Sequence, residues 1–187
     1  LARRLELTLE FTQTLKEYTE KLGAEFMSSP FDVLSTYALR DLGVKRLKIP
    51  SGETVNPFVL KAACETQLPL ILSTGMCTMD EVQWAVDFLH ANNSASFTLL
   101  HCTTQYPADV ANSNLRAMQT MKERFNVPVG YSDHTPGIEV SLAAVALGAT
   151  VIEKHFTTDR NLPGPDQKAS LSPEQFKALV EGTRNIE

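Results

Sequence analysis

The segment VGYSDHT (Val129–Thr135) sets Ser132, Asp133 and His134 directly behind a short apolar run, and twenty-one residues beyond His134 the segment VIEKHFT (Val151–Thr157) ends a second such run on His155. A neutral imidazole is a ligand for divalent metals and a proton carrier near neutral pH. Two of them on adjacent strand ends can share one cation, Mn²⁺, Co²⁺ or Zn²⁺ by ligand type, and leave its other positions open to water or substrate oxygen. An open position of that kind polarises a carbonyl. One inward His is ordinarily a hydrogen-bonded core residue; a matched pair shifts the balance toward a ligand pair. Lys48, in RLKIPS, offers a point charge to phosphate or carboxylate, and the turns SSPFD, KIPSGE and LSTGM add hydroxyl and N–H donors. Each turn is ordinary alone. Their common position, each behind an apolar run, is what points to a pocket.

Six runs must place these groups: 24–29, 46–51, 69–74, 97–103, 127–133 and 150–156. Each is β-branched or apolar and is followed by a polar cluster and a helical stretch, which predicts βαβ units and a parallel sheet. The runs end on Ser28 and Ser29, Ser51, Ser73 and Thr74, Thr103 and Thr104, Ser132 to His134, and Lys154 with His155. Ligands bind at that edge in parallel α/β folds. No GxGxxG is present, so the sequence predicts a (β/α)₈ TIM barrel rather than a doubly wound sheet. Such a barrel takes eight strands in about 250 residues. The chain is therefore expected to be a partial barrel whose two remaining strands lie upstream. With open parallel edges, it is not expected to be an independently stable enzyme.

Helix boundaries are marked by Asn56 with Pro57, by Thr78 with Glu81, by Ser172 with Pro173 and Gln175, and by Gly148 as a helix stop. Strand alternation then assigns faces. Val151, Glu153 and His155 point inward, with Ile152 and Phe156 toward helices and Lys154 outward or at the rim. Gly130, Ser132 and His134 point inward, with Val129 and Tyr131 outward. Lys48 and Pro50 point inward, with Leu47 and Ile49 outward.

The chain has 187 residues, 43% hydrophobic and 21% charged, with a net charge of −5. No Lys/Arg-rich run marks a nucleic-acid or anionic-membrane surface, and no apolar run reaches the roughly 18 residues of a membrane span. LARRLELTLEF lacks a signal-peptide core and reads as an amphipathic helix. Three cysteines (Cys64, Cys77 and Cys102) without a CxxC spacing predict free thiols and a cytoplasmic setting, with Cys102 a small buried strand residue.

The motifs KIPSGE, LSTGM, LLHCTTQYP, GYSDHTPGIE, AAVALGA, IEKHFT and PGPDQKASL closely resemble the N-acetylneuraminate (sialic acid) synthase family, from about Phe11 to the C-terminus. The resemblance implies a (β/α)₈ barrel followed by a small antifreeze-like domain, usually in a domain-swapped homodimer. Residues 1–187 would be barrel strands three to eight, without strands one and two or the antifreeze-like domain. It implies condensation of phosphoenolpyruvate with an N-acetylated amino sugar, usually N-acetylmannosamine, with release of phosphate. It places a divalent metal, Mn²⁺ or Mg²⁺, on His134 and His155. Phosphoenolpyruvate falls to Lys48, Ser51, Ser73 and Ser132, with Ser29 where a phosphate-contacting Thr is common. The sugar falls to Tyr106 and Asp166, with Thr104 where some members have Asn. His155, Lys48 and Ser132 are the candidates nearest the chemistry. Gln167 stands where many members have His. A carboxylate from strand one, a second Lys from strand two and an Arg from the partner's antifreeze-like domain would lie outside these residues, so the chain alone is expected to have little activity. Legionaminic or pseudaminic acid synthases, which use a di-N-acetylated sugar, resemble it in the same way.

Overall fold

A computed structural model describes residues 7–187. The first six residues of the expected N-terminal helix lie outside the described residues; Thr8 caps the helix α1 (Leu9–Lys21) by accepting from the Phe11 amide. Five strands follow: β1 (Leu47–Ile49), β2 (Leu70–Ser73), β3 (Phe97–Cys102), β4 (Val129–Asp133) and β5 (Ile152–Lys154). They pair in that order and all in parallel. The helices between and around them are α2 (Val33–Asp41), α3 (Pro57–Glu65), α4 (Met79–Ala91), α5 (Arg116–Phe125), α6 (Glu139–Ala146) and α7 (Pro173–Ile186).

The boundary signals act as their chemistry requires. Asn56 accepts from the Phe58 and Val59 amides with Pro57 opening α3. Thr78 with Glu81 and Ser172 with Gln175 both form complete capping boxes. Gly148, at φ +90°, takes the left-handed position after α6.

Alternation divides the strands into two faces. Leu47, Ile49, Leu70, Leu72, Leu99, Val129 and Tyr131 pack with helix residues such as Leu60, Val86, Leu89, Met121 and Ala144 in one apolar core. Lys48, Ser73, Cys102, Ser132 and Glu153 take the opposite face and line one cleft. That face is strongly curved. β1 and β5 are the outermost strands, so a flat sheet would hold them about 19 Å apart at the usual strand spacing. Yet Lys48 Nζ lies 3.3 Å from Glu153 Oε2. The sheet is a half-barrel.

The expected strand bounds need correction. Residues 24–29 do not form a strand. Among the described residues no backbone hydrogen bond joins them to β1, whose Leu47 amide bonds instead to Pro69. The segment is held by side chains: Arg46 donates to Glu25 at 2.5 and 3.1 Å, and Phe26 packs on the core. The last strand is also shorter than 150–156. Its ladder covers Ile152–Lys154, and Phe156 makes only an isolated bridge to Leu171. β1 ends before Pro50, which has no N–H to extend the ladder.

Behind the sheet the half-buried His101 ring packs beside the buried Tyr131 ring. His101 Nε2 lies 2.9 Å from the Ser113 carbonyl, and its ring centroid is 5.6 Å from that of Tyr131. Burial pulls the His101 imidazole below its usual range.

Two predictions follow from packing and burial. A Cβ on Gly130 would collide with the Val151 carbonyl and come within 2.7 Å of Leu100 Cδ2. Gly130→Ala should therefore destabilise the fold by about 1–3 kcal/mol in urea denaturation; an unchanged midpoint would show that the β4–β5 approach is loose. Because the folded His101 binds its proton less readily than the unfolded chain, stability should be complete above about pH 6.5 and fall as pH drops below it. The thermal midpoint from about pH 7.5 to about pH 5.5 tests this, and His101→Gln should make the fall shallower.

Candidate active site

The C-terminal ends of the strands open into a cleft of about 470 Å³. Nine of the ten residues singled out from sequence line it: Ser29, Lys48, Ser51, Ser73, Thr104, Tyr106, Ser132, His134 and His155. The cleft has two chemically distinct corners.

The first is built to meet an anion. Lys48, 7% exposed, reaches across to Glu153, and the other oxygen of Glu153 accepts from Ser132 Oγ at 2.7 Å. Ser51 Oγ accepts the Gly75 amide at 3.0 Å, which leaves its own proton free to donate to a ligand. Thr54 donates to the Ser73 carbonyl at 2.6 Å and holds the end of β2. The Ser73 hydroxyl itself is buried with no hydrogen-bond partner. A buried hydroxyl left unpaired is costly and marks a place where a ligand group fits.

The second corner is aromatic. His134 and His155 have ring centroids 5.2 Å apart. Tyr106 lies over His134 at 4.0 Å and meets His155 edge-on at 5.5 Å. The His134 Nδ1 is 2.9 Å from the Thr103 carbonyl, which assigns the proton to Nδ1 and leaves the Nε2 lone pair free. Burial holds the His134 imidazole below its usual range, so the neutral, ligating form prevails at pH 7. The Ala108 amide donates to the His134 carbonyl and the Leu171 amide to the His155 carbonyl, each at 2.8 Å, which ties both strand ends to the loops over them. Among the described residues no group of three or more His, Cys, Asp or Glu side chains could hold a metal. The donors the cleft offers a cation are the two imidazoles, fewer than a closed structural site takes.

Asp166 is the exception among the sequence candidates. It lies outside the cleft lining, in the loop before α7, where its carbonyl accepts from Ala169 and Ser170. Its charge is still felt in the cleft: burial pushes the Tyr106 phenol up, and Asp166 adds to that shift.

Two residues carry more of the site than their sequence signals conveyed. Alternation gives Glu153 an inward direction alone, and in the structure it joins Lys48 to Ser132. The signal available was its register opposite Ser132 in adjacent strands. Cys102 is buried, as expected, but also borders the cleft, with Sγ 4.0 Å from His134 Nδ1. Burial pushes its thiol up, so it forms a neutral wall rather than a nucleophile. Lys154 borders the cleft, but its side chain, 1% exposed, is committed to Asp133.

Among relatives, N,N'-diacetyllegionaminic acid synthase of Legionella pneumophila is 51% identical over the whole of this chain and 54% of its own length. Human N-acetylneuraminate-9-phosphate synthase is 36% identical over 99% of this chain and 52% of its own. The chain thus spans about half the length of the curated relatives it matches. The crystal structure of N-acetylneuraminic acid (sialic acid) synthetase from Leptospira borgpetersenii superposes with a TM-score of 0.93 at 41% identity, covering 97% of this chain and 63% of that one. No helix among the described residues is long and apolar enough to cross a membrane. The NeuB family profile matches residues 1–187 from end to end, and the chain belongs to the NeuB family.

Proposed function

We propose that the intact protein condenses phosphoenolpyruvate with the aldehyde of an N-acetylated amino sugar and water, giving a nonulosonic acid and inorganic phosphate. The observation that carries this reading is the unpaired, buried Ser73 hydroxyl in a cleft shared with Lys48 and Ser51, facing a pair of imidazoles. An anion belongs at the first corner and a carbonyl oxygen at the second. Lys48 would hold the phosphate or carboxylate by charge, and Ser51 and Ser73 would donate to its oxygens. C3 of the enol forms the new bond to the aldehyde carbon, water adds at C2, and the C2–O bond to phosphate breaks. Glu153, between Lys48 and Ser132, limits the net positive charge of the anion corner. A divalent cation, Mn²⁺ or Mg²⁺, on His134 Nε2 and the His155 imidazole would supply Lewis acidity toward the aldehyde oxygen. The Tyr106 ring packs against both imidazoles.

Two sugars fit this chemistry. N-acetylmannosamine would give N-acetylneuraminate. A 2,4-diacetamido sugar would give a legionaminic-type acid, and the higher identity to the Legionella enzyme than to the human one favours this second substrate.

Phosphate release from phosphoenolpyruvate by the intact protein should require one of these sugars, with kcat/KM at least about tenfold higher for the 2,4-diacetamido sugar. The opposite preference would restore N-acetylmannosamine, and no release with either would refute the reaction class. His134→Ala and His155→Ala should each abolish calorimetric Mn²⁺ binding while leaving the thermal midpoint within a few degrees. Unchanged Mn²⁺ affinity in both variants would refute the metal assignment.

A further inference from the structure

Behind the two imidazoles, on the helix-facing side of the sheet, lies a buried ion pair. Asp133 and Lys154 are register partners on β4 and β5. Their side chains are 0% and 1% exposed, and Nζ lies 2.9 Å from Oδ2. A buried pair is weak grounds for stability, because an apolar pair of similar volume often serves as well. Its connections point to another role. Asp133 is the residue before His134, and Lys154 is the residue before His155.

The pair also encloses His134 from its other side. Asp133 Oδ1 accepts the Thr135 amide at 2.8 Å and the Thr135 hydroxyl at 2.7 Å, closing a turn around His134. Lys154 Nζ donates to the Thr135 carbonyl at 2.5 Å. Ser141, from α6, donates to Asp133 Oδ2 at 2.5 Å and fixes the carboxylate to the helix layer. Residues 133 and 135, on either side of His134, are thus both fastened to Lys154, the residue before His155. The inward neighbours repeat the link through Ser132 and Glu153.

We propose that Asp133 and Lys154 are positioning residues that set the separation and aim of the His134 and His155 imidazoles from the far side of the sheet. The pair touches no substrate. It adds a side-chain tie to β5's three-residue ladder and so fixes the distance between two rings. The functional consequence rests on the reading that these imidazoles hold the cation.

The test uses the intact protein carrying Asp133→Asn with Lys154→Met, which removes both charges together and leaves neither unpaired. Crystal structures of wild type and variant without metal should show the two rings displaced relative to each other by more than about 0.5 Å. Calorimetric Mn²⁺ affinity should fall about 10- to 100-fold, the usual cost of losing an outer-shell support. Rings that superpose with those of wild type overturn the proposal whatever the affinity does. Wild-type protein that takes up no Mn²⁺ would refute the metal reading instead, and the ring positions would still decide this one. If the double variant does not fold, Ser141→Ala removes a single bond from Asp133. It should move the rings and weaken Mn²⁺ binding in the same direction by a few-fold, and unchanged rings in that variant overturn the proposal equally.

Discussion

The contact between Lys48 and Glu153 ties the shape of the sheet to the polarity of the cleft. An ammonium 7% exposed needs a compensating charge, and here that charge comes from the strand at the opposite end of the sheet. The sheet must curl for the two to meet, and once curled it brings every strand end to one mouth. The apolar face contributes the complementary push, because Leu47, Leu72, Leu99 and Tyr131 bury outward against the helices. Curvature, burial and site assembly are aspects of one arrangement.

Much of this was legible in the sequence. A side-chain period of two was enough to turn Lys48, Ser132, Glu153, His134 and His155 inward and Leu47, Ile49, Val129 and Tyr131 outward, because register in a buried parallel strand leaves no freedom to slip. Helix boundaries were equally plain, since capping chemistry is local. The failures lie where the outcome depends on partners far along the chain. Residues 24–29 have the composition of a strand, but a strand exists only where another backbone takes up its hydrogen bonds, and this segment is held by Arg46 through Glu25 instead. The Asp133–Lys154 pair could not be read because alternation gave directions for single side chains, not which outward pairs would meet.

The two corners of the cleft impose opposite demands on their surroundings. The imidazole corner needs neutral rings, and desolvation supplies that for His134 while Tyr106 and Cys102 wall it without charge. The anion corner needs a retained charge on Lys48 despite the same burial, and Glu153 supplies the partner. A cation placed between these corners by substitution would raise the cost of charging the imidazoles, and an extra carboxylate would compete with any anionic ligand.

Glu153 then has a second consequence for ligand binding. An incoming anion at Lys48 meets a carboxylate 3.3 Å from the same ammonium, so it cannot take the face that Glu153 occupies. It is directed to the remaining donors of Lys48 and toward Ser51 and Ser73, whose hydroxyls are free. Part of the Lys48 charge stays committed to Glu153, which weakens the hold on any phosphate. An unopposed buried ammonium would hold any anion more tightly, so Glu153 sets how readily an anionic ligand leaves this corner of the cleft.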